Sequence, residues 1–167
     1  MLVFAISGFS NSGKTTLITS VVKEFTKRGI EVITIKSTHG DAKPPEGTDT
    51  SKHLKAGAKI SVLLGPSSTM TAYDRRIDLS EILSQFEADF ILIEGMKSSQ
   101  IPKIWVDNNE PVNLDEIAPR TVAIVSRNPD STKSGTTEET EIIHSMNINR
   151  IIEIIEEFAI ETDSLKL

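Results

Sequence analysis

Cysteine is absent from the 167 residues, which excludes a disulfide framework, a thiolate metal site and a cysteine nucleophile. Also absent is any apolar run approaching the ~18 residues that span a bilayer. The start has no basic segment, and its apolar stretch Leu2–Ile6 is short, so no signal sequence is expected. Positive charge is in deficit: the net charge of −6 argues against broad binding to nucleic acid or an anionic membrane. These absences leave a cytoplasmic enzyme or binding protein, with neither nucleic acid nor membrane as partner. What is present, 38% apolar and 25% charged residues, suits one soluble globular domain long enough to bury a core.

Strand and helix patterns alternate along the chain. Leu2–Ser7 reads as a strand and Lys14–Arg28 as a helix, ended by Gly29. "EVITIK" (Glu31–Lys36) is a second strand, and a polar loop with Gly40, Pro44, Pro45 and Gly47 leads to a short helix near Thr50–Ala56. "ISVLL" and "TMTAY", separated by "GPSS", form a hairpin or closely spaced pair. Asp78–Gln85 is helical, with Leu79, Ile82, Leu83 and Phe86 on one side. "DFILIEG" is the nearly all-apolar kind of strand that is buried on both faces of a parallel sheet. "KIWV" and "TVAIVS" are further strands, Asn128–Thr140 is a low-complexity loop, and Ile148–Ile160 is an amphipathic closing helix. The pattern predicts a layered α/β fold.

"GFSNSGKTTL" stands between the first strand and the first helix. Gly8, Gly13, Lys14 and Thr15 satisfy the phosphate-loop pattern G-x-x-x-x-G-K-[ST]. Glycines let backbone N–H groups wrap an anion, Lys14 reaches the terminal phosphates, Thr15 offers a hydroxyl to Mg²⁺, and the helix points its positive end at the site. Asn11, Ser12 and Thr16 complete the candidate phosphate ligands. The fold class is therefore a P-loop NTPase three-layer sandwich with a mainly parallel central sheet flanked by helices, one nucleotide-binding domain over residues 1–167.

Such a site needs a carboxylate near the metal, and open α/β sheets bind ligands at the carboxyl ends of their strands. Glu94 closes "DFILIEG" at that edge, where Gly95 would let the backbone approach a γ-phosphate; the alternative is an ordinary strand-ending turn. Asp89, at the other end, reads as a solvated strand start. Asp49 precedes "TSKHLKA", so it is either the helix N-cap or a residue reaching the metal or its water. Lys36 is a candidate phosphate clamp. His39 and His53 read as solvated, and His144 carries no signal. Asn128, in "SRNPD", could hydrogen-bond a purine edge or simply form the turn before Pro129. "KIWV", with the single tryptophan Trp105 and a polar "DNNEP" behind it, is a sheet-edge or interface strand, or else core.

"GFSNSGKTTL", "TIKSTHGD", "PPEGTDTSKHLKAGA" and "DFILIEGMKSSQIPKIWV" together resemble the molybdopterin-guanine dinucleotide biosynthesis protein B (MobB) family, over roughly residues 1 to 106. The family is similar in turn to dethiobiotin synthetase and to nucleotide-driven metal-insertion proteins. The P-loop is widely shared; the pairing of "GTDT" and "AGA" with "EG-x-K" and "PK" is far more specific. The resemblance implies that Asp49 and Glu94 join Thr15 around Mg²⁺. It implies that Lys36 and Lys97 face the phosphate crevice, with Lys103 following. Catalytic roles then fall to Lys14, Lys36 and Glu94, and nucleotide contacts extend to Gly95, Lys97 and Asn128. It further implies a dimeric adapter that binds GTP (ATP not excluded), hydrolyses it slowly, and helps a nucleotidyltransferase attach GMP to molybdopterin. Ser37 and Ser51 depart from the family, where histidine and tryptophan are frequent, as does the "PKI" strand, in which many members carry an acidic residue near the position of Trp105. These departures lie on the expected partner side.

Slow hydrolysis fits the cations near the motif, which are the lysines Lys14, Lys36, Lys97 and Lys103. The P-loop has no arginine; Arg28 lies at the far end of the helix, and Arg75 and Arg76 would have to fold over the crevice. Two other classes stay open: an ATP-dependent small-molecule kinase or ligase of the dethiobiotin synthetase type, and a non-catalytic nucleotide-sensing regulator.

Overall fold

In the computed structural model, which describes residues 1–108, 116–132 and 140–165, the chain forms two compact units, residues 1–37 with 87 onward, and Thr38–Phe86. The strands are β1 (Leu2–Gly8), β2 (Val32–Lys36), β3 (Ile60–Leu64), β4 (Thr69–Tyr73), β5 (Phe90–Glu94), β6 (Lys103–Val106), β7 (Thr121–Ser126), β8 (Glu141–His144) and β9 (Ile160–Glu161). The helices are α1 (Lys14–Lys27), α2 (Asp49–Lys55), α3 (Leu79–Leu83), α4 (Pro129–Thr132) and α5 (Ile148–Phe158).

The first unit is built on a mainly parallel sheet in the order β2-β5-β1-β6-β7-β8. Its strands read as apolar runs because both faces are covered. Phe4, Ile6, Leu92, Ile104 and Val125 face one cluster, into which α1 sends Leu17, Ile18, Val21 and Phe25 and α5 sends Ile151, Ile152, Ile154 and Ile155. On the opposite face Ile91, Ile93 and Trp105 are equally buried. β1 thus lies at the centre, and the loop that follows it opens at the carboxyl edge between β5 and β6.

Several elements differ from the sequence reading. "KIWV" is an interior strand between β1 and β7, not an edge, and Trp105 is 1% exposed; the polar residues behind it mark where the strand leaves the sheet. The helix expected over Asp78–Gln85 is only the five-residue α3, and Phe86 is left half exposed. Glu31 stays outside β2 because its N–H donates to the Asp89 carboxylate at 2.8 Å, so Asp89 anchors a strand start. α5 stops at Phe158, where Ala159 turns extended and β9 pairs antiparallel with Leu2–Val3, the part of β1 that β6 does not reach. "EIIH" (β8) had no expectation attached to it. The low-complexity stretch Asn128–Thr140 begins with α4; residues 133–139 lie outside the described residues.

The second unit holds α2, α3 and the expected hairpin. β3 and β4 pair antiparallel from Ile60↔Tyr73 to Leu64↔Thr69, closed by Gly65 N–H donating to Ser68 O at 2.8 Å. The ribbon leaves Ile60, Val62 and Leu64 exposed on one face, and Leu63 and Met70 on the other.

Candidate nucleotide-binding site

Gly8 cannot be anything larger. Its φ is +147°, and a Cβ there would stand 2.3 Å from the carbonyl oxygen of Val106 in β6. Beyond it the loop twists through left-handed backbone at Asn11 (φ +60°) and Gly13 (φ +100°). Gly13 is the N-cap of α1 and offers no side-chain acceptor, and no acidic residue stands in the first turn. The orphan N–H groups and positive pole of a 14-residue helix therefore open at the loop with neither a side-chain cap nor an acidic residue of the helix's own first turn. An anion completes this arrangement.

Sheet register brings the charged groups to the same edge. Lys36 at the end of β2 pairs with Glu94 at the end of β5, and Ile6 of β1 pairs with Glu94 on its other side. Thr15 Oγ1 lies 3.1 and 3.0 Å from the two Glu94 carboxylate oxygens, to which it donates. Lys36 Nζ reaches the same carboxylate at 3.1 Å. Lys14 Nζ donates back to the carbonyl of Phe9. Burial lowers the Lys14 pKa; Glu94 opposes that shift, while the nearby cations Lys97 and Lys36 add to it. Lys97 Nζ sits 4.9 Å from the ring centre of Phe9 and 5.3 Å from that of Trp105, rings that meet edge to face. Ser7 Oγ donates to Gly95 O at 2.6 Å, tying the loop after β5 to β1.

Mg²⁺ fits this donor set. Among the described residues no three His, Asp or Glu side chains gather into a protein cage. Mg²⁺ seldom uses one, binding instead through one or two carboxylates, a hydroxyl and the phosphates of its ligand. The hard oxygens of Thr15 and Glu94 already converge.

The remaining sequence candidates have partners of their own. Asp49 belongs to the second unit and opens α2, but it is not the cap. Thr48 is, its hydroxyl accepting from Ser51 N at 3.3 Å, while Asp49 pairs with Lys52 at 3.2 Å. Lys103 does not face a crevice. Fully buried, its ammonium donates to the carbonyls of Lys97 (3.2 Å), Ser99 (2.6 Å) and Pro119 (3.0 Å), and burial, with Arg120 nearby, pushes its pKa down to about 8. Lys103 is a clip on the loop that carries Lys97. Asn128 forms the turn, its N–H donating to Ser126 Oγ at 2.9 Å. His39 and His53 are exposed in the second unit, and His144 Nδ1 accepts from Met146 N at 3.1 Å. Arg28 pairs with Glu24 and Glu156, and Arg75 with Glu81.

The sequence reading missed Arg127. One of its terminal nitrogens lies 3.2 Å from where a Gly13 Cβ would stand, so the guanidinium rests against the phosphate loop. The signal was available: Arg127 adjoins the Asn128 singled out in "SRNPD" and follows the strand two places from β1.

A strand, a glycine-bounded loop, an uncapped helix and a neighbouring carboxylate on a mainly parallel sheet define a P-loop nucleotide-binding protein. Comparison with known proteins narrows the class. The family model for molybdopterin guanine dinucleotide synthesis protein B matches residues 3–127, and the chain belongs to that family, MobB. A molybdopterin-guanine dinucleotide biosynthesis adapter protein of Haemophilus influenzae is 31% identical over 134 residues, 76% of this chain and 75% of that protein. A putative adapter protein of the same name from Methanocaldococcus jannaschii is 41% identical over 112 residues, 62% of this chain but only 46% of its own length. The chain thus spans less than half of that archaeal relative. The crystal structure of Bacillus subtilis MobB shares the fold at a TM-score of 0.73 and 22% identity, over 95% of this chain and 98% of that one.

Proposed function

We propose that this chain is a GTP-binding adapter of molybdenum-cofactor biosynthesis, acting in the cytoplasm as a homodimer with a nucleotidyltransferase that attaches GMP to molybdopterin. The family and the names of its members support that pathway. The observation that carries the nucleotide site is the convergence of Thr15 and Lys36 on Glu94 beside an uncapped α1.

In this reading the N–H groups of residues 11–16 hold the phosphates, and Lys14 leaves the Phe9 carbonyl to bridge the β- and γ-phosphates. Thr15 and Glu94 would hold Mg²⁺, and family likeness makes Asp49 a candidate for a further carboxylate ligand. The metal, when bound, neutralises phosphate charge. Lys36 exchanges its ion pair with Glu94 for a phosphate oxygen, and Lys97 and the backbone at Gly95, which has no side chain in the way, approach the γ-phosphate. Self-association has a surface in the β3–β4 ribbon, whose residues 60–73 carry no charge and expose apolar side chains on both faces. A second copy offers the same uncharged surface, as a two-fold contact requires.

GTP hydrolysis by the purified chain tests the adapter reading. Turnover should lie well below the ~1–10³ s⁻¹ of metabolic enzymes, and rise on adding a molybdopterin-loaded nucleotidyltransferase. Several turnovers per second of ATP or GTP without a partner would instead indicate a kinase or ligase.

A further inference from the structure

A cavity of about 360 Å³ opens beside the phosphate loop. Ser12, Gly13 and Thr16 wall one side, Asp107 and Arg127 follow the ends of β6 and β7, and Met146 follows β8. Its size falls in the roughly 300–1,000 Å³ range of small-molecule sites. It lies where strand order reverses, since the chain leaves β1 toward β2 and returns to β6 on the other side.

We propose that this cavity takes the nucleoside of the bound triphosphate, its purine ring clamped between the Arg127 guanidinium and the Met146 thioether. The proposal rests on the nucleotide reading above and adds to it the residues that grip the base. The two walls are chemically matched to a flat heteroaromatic ring. Arg127 is exposed, lies against the backbone of Gly13, and has no carboxylate partner among the described residues. A planar, weakly hydrated guanidinium stacks on aromatic faces in a way an ammonium does not. Met146 is 83% exposed, an apolar side chain held out into solvent at the rim of the same cavity. Thioethers make favourable contacts with aromatic rings. Ser12 also lines the cavity; it is 6% exposed, and its buried hydroxyl has no hydrogen-bond partner. The phosphates have their own cradle in α1 and Lys14, which leaves one flat cation and one thioether for the base.

Calorimetric titration of GTP, ATP and inorganic tripolyphosphate, all with Mg²⁺, into wild type and three variants tests the clamp. Arg127→Ala should lower the affinity for both nucleotides about tenfold, the size expected for a lost stacking partner. Met146→Ala should lower it by a smaller factor, and tripolyphosphate affinity should stay within about twofold of wild type in both. Arg127→Lys, which keeps the charge and loses the plane, should behave like Arg127→Ala. Parallel losses for nucleotide and tripolyphosphate, with rescue by lysine, would make Arg127 a phosphate ligand and overturn the clamp. Unchanged nucleotide affinity in Arg127→Ala would overturn it as well. If wild type bound none of the three, the nucleotide reading itself would fall, and the clamp with it. Both side chains are exposed, so the fold should survive each change.

Discussion

Glu94 holds two partners at once: the Thr15 hydroxyl on one side and the Lys36 ammonium on the other. Removing its charge while keeping its shape separates a metal-site carboxylate from a plain strand end. Glu94→Gln should leave the fold intact and shift the Mg²⁺ concentration needed for GTP binding upward by about tenfold, the loss of one charge-assisted ligand. Magnesium titrations that superimpose on wild type would make Glu94 a structural acceptor. Asp49→Asn is a cleaner test than its sequence suggests. Because Thr48 caps α2, the substitution leaves the cap in place, and any change in Mg²⁺ dependence reports on the carboxylate alone. At this scale the sequence was most legible where backbone geometry fixes residue type, as in Gly8 and Gly13, both at positive φ. It was least legible where a long side chain chooses between two directions. Lys103 looked like another crevice cation but turned inward to three carbonyls, and Arg127, to which no role was attached, lay against Gly13.

Elements were readable when their pattern was long. The nearly all-apolar β5 announced a strand buried on both faces, and the hairpin followed from two β-branched runs around "GPSS". Short pieces were not readable: four residues of β8 and two of β9 acquire their identity only from the strands they join. "KIWV" misled because polar residues beyond a strand say where it ends, not where in the sheet it stands. The loop between β5 and β6 gives an element-scale prediction. Lys103 is the donor that satisfies the carbonyls of Lys97, Ser99 and Pro119, so Lys103→Met should cost about 2–4 kcal/mol in denaturant unfolding by orphaning them. With its pKa down to about 8, Lys103 binds fewer protons in the folded state than in the unfolded state between about pH 8 and its ordinary value near ~10.4. The burial penalty is thus fully present below about pH 8 and relieved above it. Wild-type stability should rise relative to Lys103→Met across that window; a pH-independent difference would count against a depressed lysine.

At the scale of the whole molecule, the first unit carries the phosphate loop and the second carries an uncharged ribbon with exposed Ile60, Val62, Leu63, Leu64 and Met70. Contiguous exposed apolar surface of this kind marks an interaction site. Light scattering should give twice the mass of one chain at micromolar concentration, and Val62→Asp should return the protein to a single chain. A wild-type monomer with and without nucleotide would remove the homodimer from the account. Among the described residues no helix is long and apolar enough to cross a membrane.

The adapter function depends on the loop after β1 holding a nucleoside triphosphate, and Lys14 is the side chain best placed to report it. Titration of GTP with Mg²⁺ into wild type should show saturable binding. In Lys14→Ala the affinity should fall at least about tenfold, the loss of a charge-assisted hydrogen bond worth ~1.5–3 kcal/mol, with the thermal unfolding midpoint of the ligand-free protein little changed. Equal affinity in the two proteins would contradict the phosphate-loop assignment.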